Sequence, residues 1–146
     1  KGTNGLRCLV YSKRLVSFLS DTYKIPTGKK KGKLHIPLQI IENNNLLRAY
    51  IRGVFDTDGS FHRHHPKDAM LGLISTDEIF MQELRIALKK LSFIASLNKK
   101  NLYIYKKAEI DRFFNEIKPA NSKYYNKYLF YKLHKRVPLT KEILIR

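Results

Sequence analysis

Cysteine is almost absent from this chain of 146 residues, in which Cys8 is the only one. A single cysteine cannot form an internal disulfide, and it cannot build a cysteine-based metal site. The sequence also has no apolar run long enough to cross a bilayer and no signal-peptide pattern at its start. We therefore expect no membrane partner and an intracellular location, either cytoplasmic or organellar.

Acidic residues are few compared with basic ones. The chain has 12 Asp and Glu against 29 Lys and Arg, which gives a net charge of +17. A compact fold with this excess repels itself, so a polyanionic partner is expected. The basic residues recur in pairs and triplets among apolar residues rather than in one block. This spread favours a surface that binds a nucleic-acid backbone over a solubilising surface, a membrane-lipid contact or a ribosomal contact.

The order of the predicted elements from Leu46 onwards indicates an α+β fold. Apolar spacing and turn residues predict, in order, a helix at about Leu46–Phe55 that Gly59 ends, strands at Ser60–His65 and Met70–Ser75, a helix that opens with the capping box Ser75–Glu78, strands at Phe93–Asn98 and Leu102–Tyr105, and a helix around Ile110–Ile117 that Pro119 ends. This order predicts an antiparallel sheet of four strands with helices on one face. The other face would then be free for a ligand.

The first 36 residues are interpreted as a lead-in to this domain. A strand is predicted at Leu6–Tyr11, and Ser12 is expected to cap an amphipathic helix. The pair resembles the strand and helix at Leu102–Ile117, which favours the tail of a preceding similar unit, with a chance match as the alternative. The predicted domains are therefore the lead-in 1–36, a central domain 37–118 and a C-terminal helical tail 119–146.

Gly53 is unusual because it lies inside a predicted helix, where glycine costs about 1 kcal/mol relative to alanine. Ala49 lies four residues earlier on the same face, so the pair would let a second helix approach closely. The helix ends in two carboxylates, Asp56 and Asp58, which are unfavourable at the negative end of the helix dipole. A divalent cation would relieve this repulsion, since it prefers hard oxygen ligands.

The segment Ile51–Gly59 resembles the signature of the LAGLIDADG homing-endonuclease family, in the variant with Arg at the second position. Ile36-Pro37, Ser60-Phe61 and the spacing to the later helix and strand pair also resemble this family, over about residues 34–118. The resemblance implies an α+β fold with a saddle-shaped, four-stranded antiparallel sheet. Because the motif occurs once, the chain is either one subunit of a homodimer or the second half of a two-motif protein.

The resemblance also implies roles for the residues of the motif. Two motif helices would pack side by side at Ala49 and Gly53, and Asp56 at this interface would mainly satisfy backbone groups at the helix end. Asp58, with Gly59 beside it, would bind Mg²⁺ or Mn²⁺ at the centre. Each ion would activate water and stabilise the leaving oxygen of one phosphodiester.

A lysine after the fourth strand completes the implied catalytic group. It would stabilise charge on the phosphate in the transition state, and Lys107 is favoured over Lys106. The implied function is a site-specific endonuclease acting on double-stranded DNA. A non-catalytic DNA-binding regulator and an RNA maturase of the same fold remain alternatives, although the retained Asp58 favours cleavage. The DNA target and an intron or intein origin are left open.

The free sheet face is expected to contact DNA. Side chains alternate along strands, so polar ones on this face could reach base edges in the major groove. For each of them a solvated surface position is the alternative. The candidate DNA-binding residues are Ser60, His62, Arg63, His64, Ser96, Asn98, Lys99, Lys100, Tyr103 and Tyr105, with Lys30 and Lys31 in a basic loop.

Overall fold

A computed structural model of the chain describes residues 9–28, 32–65, 68–139 and 142. Within them the elements are α1 (Lys13–Tyr23), α2 (Leu38–Glu42), α3 (Asn44–Asp58), β1 (Gly59–Arg63), β2 (Ala69–Ile74), α4 (Glu78–Lys90), β3 (Ser96–Asn98), β4 (Asn101–Ile104), α5 (Lys107–Glu116) and α6 (Ser122–His134). The order predicted from Leu46 to Ile117 is confirmed, whereas α2 was not predicted. None of the described helices is long and apolar enough to cross a membrane.

The sheet has four strands in the order β1-β2-β4-β3, and each neighbouring pair is antiparallel. On one face its apolar side chains are buried against the helices: Phe61, Leu71, Leu73, Leu102 and Ile104. The core side of α3 contributes Leu47, Ile51 and Phe55, at the spacing of one helix face. The predicted α+β class with a four-stranded antiparallel sheet and helices on one face is therefore confirmed.

The junction between α3 and β1 depends on glycine. Asn43 begins α3 by accepting hydrogen bonds from the N–H groups of Asn45 and Leu46. At the other end, the N–H of Gly59 donates to the carbonyl of Phe55. A Cβ at Gly59 would lie 2.3 Å from that carbonyl oxygen and 2.4 Å from the Phe55 ring. Glycine therefore lets the chain pass from helix to strand without a connecting loop.

The predicted cap of α4 is wrong, because Asp77 and not Ser75 is the capping residue. One carboxylate oxygen of Asp77 accepts from the N–H of Phe80 at 3.2 Å. The other accepts from the N–H of Gly32 at 2.7 Å, which ties the segment before α2 to α4. The Ser75 hydroxyl instead accepts from the N–H of Asp77 at 3.1 Å. Two backbone donors are thus satisfied by one carboxylate.

The third strand is shorter than the predicted Phe93–Asn98. Ser92 adopts a left-handed conformation with φ 62°, and the N–H of Phe93 donates to the carbonyl of Leu88 at 2.9 Å. The N–H of Ile94 then donates to the Glu109 carboxylate at 3.0 Å. These bonds end α4 in a Schellman-type turn, so β3 begins at Ser96.

The described N-terminal residues differ from the prediction in one respect. Leu9–Tyr11 are not a strand, and the rest of the predicted strand lies outside the described residues. The prediction that Ser12 caps a helix is confirmed, since its hydroxyl accepts from the N–H of Leu15 at 3.2 Å. No residue of α1 is buried. The division into lead-in, central domain and tail stays a prediction.

Helix α6 packs against the domain through its tyrosines. Tyr124, Tyr128 and Tyr131 are buried, and the Tyr128 ring stacks on Phe114 at a centroid distance of 4.0 Å. The Tyr131 ring meets Phe61 of β1 edge to face. Residues of α6 therefore share one core with the sheet and with α5.

Candidate nucleic-acid interface and active site

The sheet face opposite the helices carries a polar row that crosses all four strands. Backbone pairing aligns Ser60 with Gly72, Gly72 with Tyr103, and Tyr103 with Ser96. Their neighbours in each strand, such as Phe61 and Leu102, are buried on the helix face. The structure thus brings three predicted DNA-binding residues from separate strands into one line.

Two further rows flank this one. Asn98 pairs with Asn101, and Asn101 pairs with Ile74. On the other side, His62 pairs with Met70. We define the open face as these three rows, whose members are Ser60, His62, Met70, Gly72, Ile74, Ser96, Asn98, Asn101 and Tyr103.

Four members of the open face were missed from the sequence: Met70, Gly72, Ile74 and Asn101. The apolar residues of β2 hid the alternation, because a strand of mostly apolar residues indicates burial on both faces. Gly72 lets the Ser60 side chain pack over it at the centre of the open face, since a Cβ there would lie 2.8 Å from the Ser60 hydroxyl oxygen. In the structure, Ile74 is 63% exposed, which shows that β2 is covered by helices on one face alone.

Three predicted DNA-binding residues from the strands or their ends are not members of the open face. Arg63 shares the helix face with Phe61, and its guanidinium donates to the carbonyl of Val137 at 3.3 Å. His64 was placed on the first strand, which is wrong because β1 ends at Arg63. Its exposed ring instead lies 4.2 Å from that of His65. Tyr105 follows β4 and is 52% exposed.

The remaining predicted contacts are lysines in loops. Lys99 and Lys100 are exposed in the turn between β3 and β4, where Lys99 has a left-handed φ of 51°. They lie at the tip of the hairpin, next to the row that contains Asn98 and Asn101. Lys30 and Lys31 lie outside the described residues.

One face of α3 has no covering within the described chain. Ala49, Gly53 and Thr57 are exposed on it, and Leu46 on the same face is 47% exposed. A Cβ added to Gly53 would meet no atom within 4 Å. The packing within the described chain therefore gives no reason for glycine at position 53.

The two carboxylates at the end of α3 have different surroundings. Asp56 accepts from the N–H groups of Ala120 and Asn121 at 2.9 and 3.0 Å, and its carbonyl accepts from the Asn121 amide. The exposed Asp58 accepts one hydrogen bond among the described residues, from the Thr57 hydroxyl at 3.3 Å. Asp56 thus anchors the segment before α6, whereas Asp58 keeps most of its acceptor sites available.

A model of the LAGLIDADG-like domain matches residues 45–118. The chain belongs to the LAGLIDADG-like family. No curated protein and no solved structure matches it. The match runs from α3 to the residues just beyond α5 and includes the whole sheet, so α6 lies outside it.

Helix α6 also holds the end of the LAGLIDADG motif. The hydroxyl of Tyr124 donates to the carbonyl of Gly59. Burial raises the pKa of the Tyr124 phenol, and Asp56 and Asp58 raise it further, so the phenol stays protonated as a donor. Asp58 therefore lies in the chain between Asp56 and Gly59, and both of these accept hydrogen bonds from α6 or the residues just before it.

The two lysines predicted as catalytic follow β4 closely and lie at the start of α5. Lys106 is the N-terminal cap residue and Lys107 is the first helical residue, and both are exposed. Within residues 9–28, 32–65, 68–139 and 142, no group of three or more His, Cys, Asp or Glu side chains is placed to hold a metal ion. For the LAGLIDADG motif the structure provides one free carboxylate, that of Asp58.

Proposed function

We propose that this chain is a metal-dependent DNA endonuclease, in which the open face binds double-stranded DNA and Asp58 acts at the scissile phosphodiester. The observation that carries the proposal is the position of Asp58. It is the last residue of α3, and Ser60 of the open face follows two residues later. The exposed carboxylate of Asp58 therefore lies next to the first residues of the open face.

The dimensions and charge of the open face support DNA as the ligand. Neighbouring strands lie about 4.8 Å apart, so the outer strands of four are separated by roughly 14 Å. This is close to the width of the DNA major groove, about 12 Å. None of the residues that define the open face is acidic, and the chain as a whole carries a charge of +17. Such a surface attracts phosphate and offers hydroxyls and amides to base edges.

The uncovered face of α3 supports pairing with a second motif helix. Glycine at position 53 costs about 1 kcal/mol in a helix, and packing within the described chain does not recover this cost. A second helix that approaches at Ala49 and Gly53 would recover it through close backbone contact. A second copy of this chain can supply that helix, and it would bring a second Asp58 to the same centre.

A divalent ion fits the chemistry of Asp58. Mg²⁺ and Mn²⁺ prefer carboxylate, carbonyl and phosphate oxygens, and the exposed Asp58 carboxylate has most of its acceptor sites available. Gly59 offers a carbonyl oxygen beside it, one lone pair of which receives the Tyr124 hydroxyl. When bound, the ion would supply an activated water and stabilise the leaving oxygen. Lys107 and Lys106 are proposed to offset phosphate charge.

The proposal is tested by cleavage of a library of random-sequence DNA duplexes. The chain is incubated with the library and Mg²⁺, and newly formed ends are recovered and sequenced. We expect a defined set of sites for the unchanged chain and none for Asp58→Asn, because the substitution removes a charged metal ligand. Asp21→Asn is the matched control, since Asp21 is an exposed acidic residue on α1. It should recover the same sites as the unchanged chain.

Other outcomes would favour the alternative functions. Equal recovery by Asp58→Asn would contradict the catalytic role of Asp58. Tight, sequence-selective DNA binding without cleavage by the unchanged chain would support a regulator instead. Preferential binding to folded intron RNA, together with faster splicing, would support a maturase.

A further inference from the structure

The outer edge of β1 is covered by α6, which lies outside the matched LAGLIDADG-like domain. An edge strand presents free carbonyl oxygens, and these would repel a phosphate. The Tyr124 hydroxyl donates to the carbonyl of Gly59. The Lys127 ammonium donates to the carbonyl of Phe61 at 3.3 Å. Helix α6 therefore satisfies two carbonyl groups at the outer edge of β1 and places the Lys127 ammonium there.

This cation lies beside a histidine of the open face. His62 follows Phe61 directly, and both the His62 and Lys127 side chains are half-buried. The charged and titratable groups that face His62 are Lys127 from α6 and His64 from the end of β1. Its partner on β2 is Met70, which carries no charge. The site thus gathers positive charge without an acidic partner among the described residues.

Burial and neighbouring positive charges lower the pKa values of both His62 and Lys127. Burial lowers the pKa of His62, and Lys127 and His64 lower it further. Burial also lowers the pKa of Lys127, with a smaller effect from Lys123. A bound anion would relieve this repulsion and would favour the charged form of His62.

The position of the pair matches that of a DNA backbone. If the open face lies along the major groove, its outer strands, separated by roughly 14 Å, reach the groove edges, which are about 12 Å apart. The phosphates line these edges. The outer side of β1, where Lys127 binds the carbonyl that precedes His62, would therefore face a phosphate rather than a base.

We infer that His62 and Lys127 form a phosphate-binding site for DNA at the outer edge of β1, through which α6 extends the DNA-binding surface beyond the LAGLIDADG-like domain. The inference rests on the proposed binding of DNA by the open face. It assigns His62 to the backbone rather than to base edges. It also assigns a function to Lys127, a residue of the C-terminal helix.

The salt dependence of binding tests the contribution of Lys127. Anisotropy of a fluorescein-labelled random-sequence DNA duplex gives the affinity at several salt concentrations. Lys127→Gln should reduce the slope of log affinity against log salt by about one, since each phosphate contact releases roughly one counterion. Lys127→Arg should keep the slope. Lys132→Gln is the matched control, because Lys132 lies on the same helix but pairs with Asp111 at 3.2 Å.

The pH dependence of binding tests the contribution of His62. The affinity of the unchanged chain should rise as the pH falls from about 8 towards about 5, because bound phosphate stabilises protonated histidine, whose pKa in the free chain is lowered. His62→Gln should lose more of this rise than His64→Gln, its exposed neighbour.

These variants separate the inference from the proposed function. Equal slopes for Lys127→Gln and Lys132→Gln, or equal pH profiles for the two histidine variants, would overturn the inference while DNA binding stands. Absence of DNA binding by the unchanged chain would overturn the proposed function itself. If Lys127→Gln does not fold, the pH profiles of His62→Gln and His64→Gln still decide the question.

Discussion

Asp56 and Asp58 are two residues apart at the end of α3, yet their hydrogen-bond partners differ. Asp56 binds two backbone N–H groups of the segment before α6. Asp58 is exposed and receives a hydrogen bond from Thr57. The sequence identified both as acidic residues at a helix end. The partners of Asp56 could not be predicted, because they lie more than sixty residues later in the chain.

The two glycines of the motif should respond to alanine in opposite ways. A Cβ at Gly59 would collide with the carbonyl and ring of Phe55, so Gly59→Ala should lower the free energy of unfolding by about 1–3 kcal/mol. A Cβ at Gly53 would meet no atom within 4 Å, so Gly53→Ala should raise it by about 1 kcal/mol. Urea unfolding at low protein concentration measures both values.

A low protein concentration is used so that the free energy of unfolding is measured for the single chain and not for a pair of chains. A stable Gly59→Ala variant would show that α3 can enter β1 without glycine. A destabilised Gly53→Ala variant would show that the chain itself covers this face of α3.

The alternation of side chains along the strands predicted much of the open face. Ser60, His62, Ser96, Asn98 and Tyr103 all lie there, because a strand that packs on one face must direct every second side chain away from the core. Arg63 follows the same alternation, which places it on the helix face with Phe61. A long basic side chain beside two histidines is typical of a surface that binds DNA, so composition alone gave no sign of its hydrogen bond to Val137.

At the scale of elements, helix periodicity predicted α3, α4 and α5, because each carries one continuous apolar face. Short elements were harder to predict. Helix α2 has five residues, and β3 has three. Distant residues bind at or near both elements, as Glu109 does with the N–H of Ile94 and Lys90 with the carbonyl of Ile41. Such contacts depend on the folded chain and leave no local pattern.

Asp77 links the segment before α2 to α4. Because it does so as a carboxylate, the free energy of unfolding should depend on pH. The N–H of Phe80 lowers the pKa of Asp77 most, and the N–H groups of Gly32 and Leu34 lower it further. Asp77→Asn keeps a side-chain cap for α4 but replaces one carboxylate oxygen with a donor. The unchanged chain should therefore be more stable than the variant at neutral pH.

The difference should disappear in acid. A folded-state pKa below the ordinary aspartate value of about 4 contributes stability above that value. This contribution is lost as the pH falls from about 4 through the lower folded pKa. Urea unfolding of both chains across this range measures the effect. A difference that stays constant down to the lowest pH would contradict the role of the Asp77 charge.

In the molecule as a whole, most of the acidic side chains are engaged in hydrogen bonds within the fold. Acidic side chains accept hydrogen bonds within the described fold: Asp56, Asp77, Glu83, Glu109, Asp111, Glu116 and Glu142. They lie among the helices and loops, and none lies on the open face. The excess of basic residues is thus left available for a polyanion, with Asp58 at the boundary.

Two copies of this chain are proposed each to bring one Asp58 to one DNA duplex. This proposal is tested with mixed pairs, made by expressing the unchanged chain and Asp58→Asn together with different affinity tags and purifying over both. The substrate is a supercoiled plasmid that carries a site recovered from the library.

Pairs of two unchanged chains should cut both strands and give linear plasmid. Mixed pairs should cut one strand and give nicked circles, because a single Asp58 remains at the centre. Linear plasmid from mixed pairs, formed as fast as by unchanged pairs, would contradict the proposed role of two Asp58 residues, since one Asp58 would then suffice for both strands.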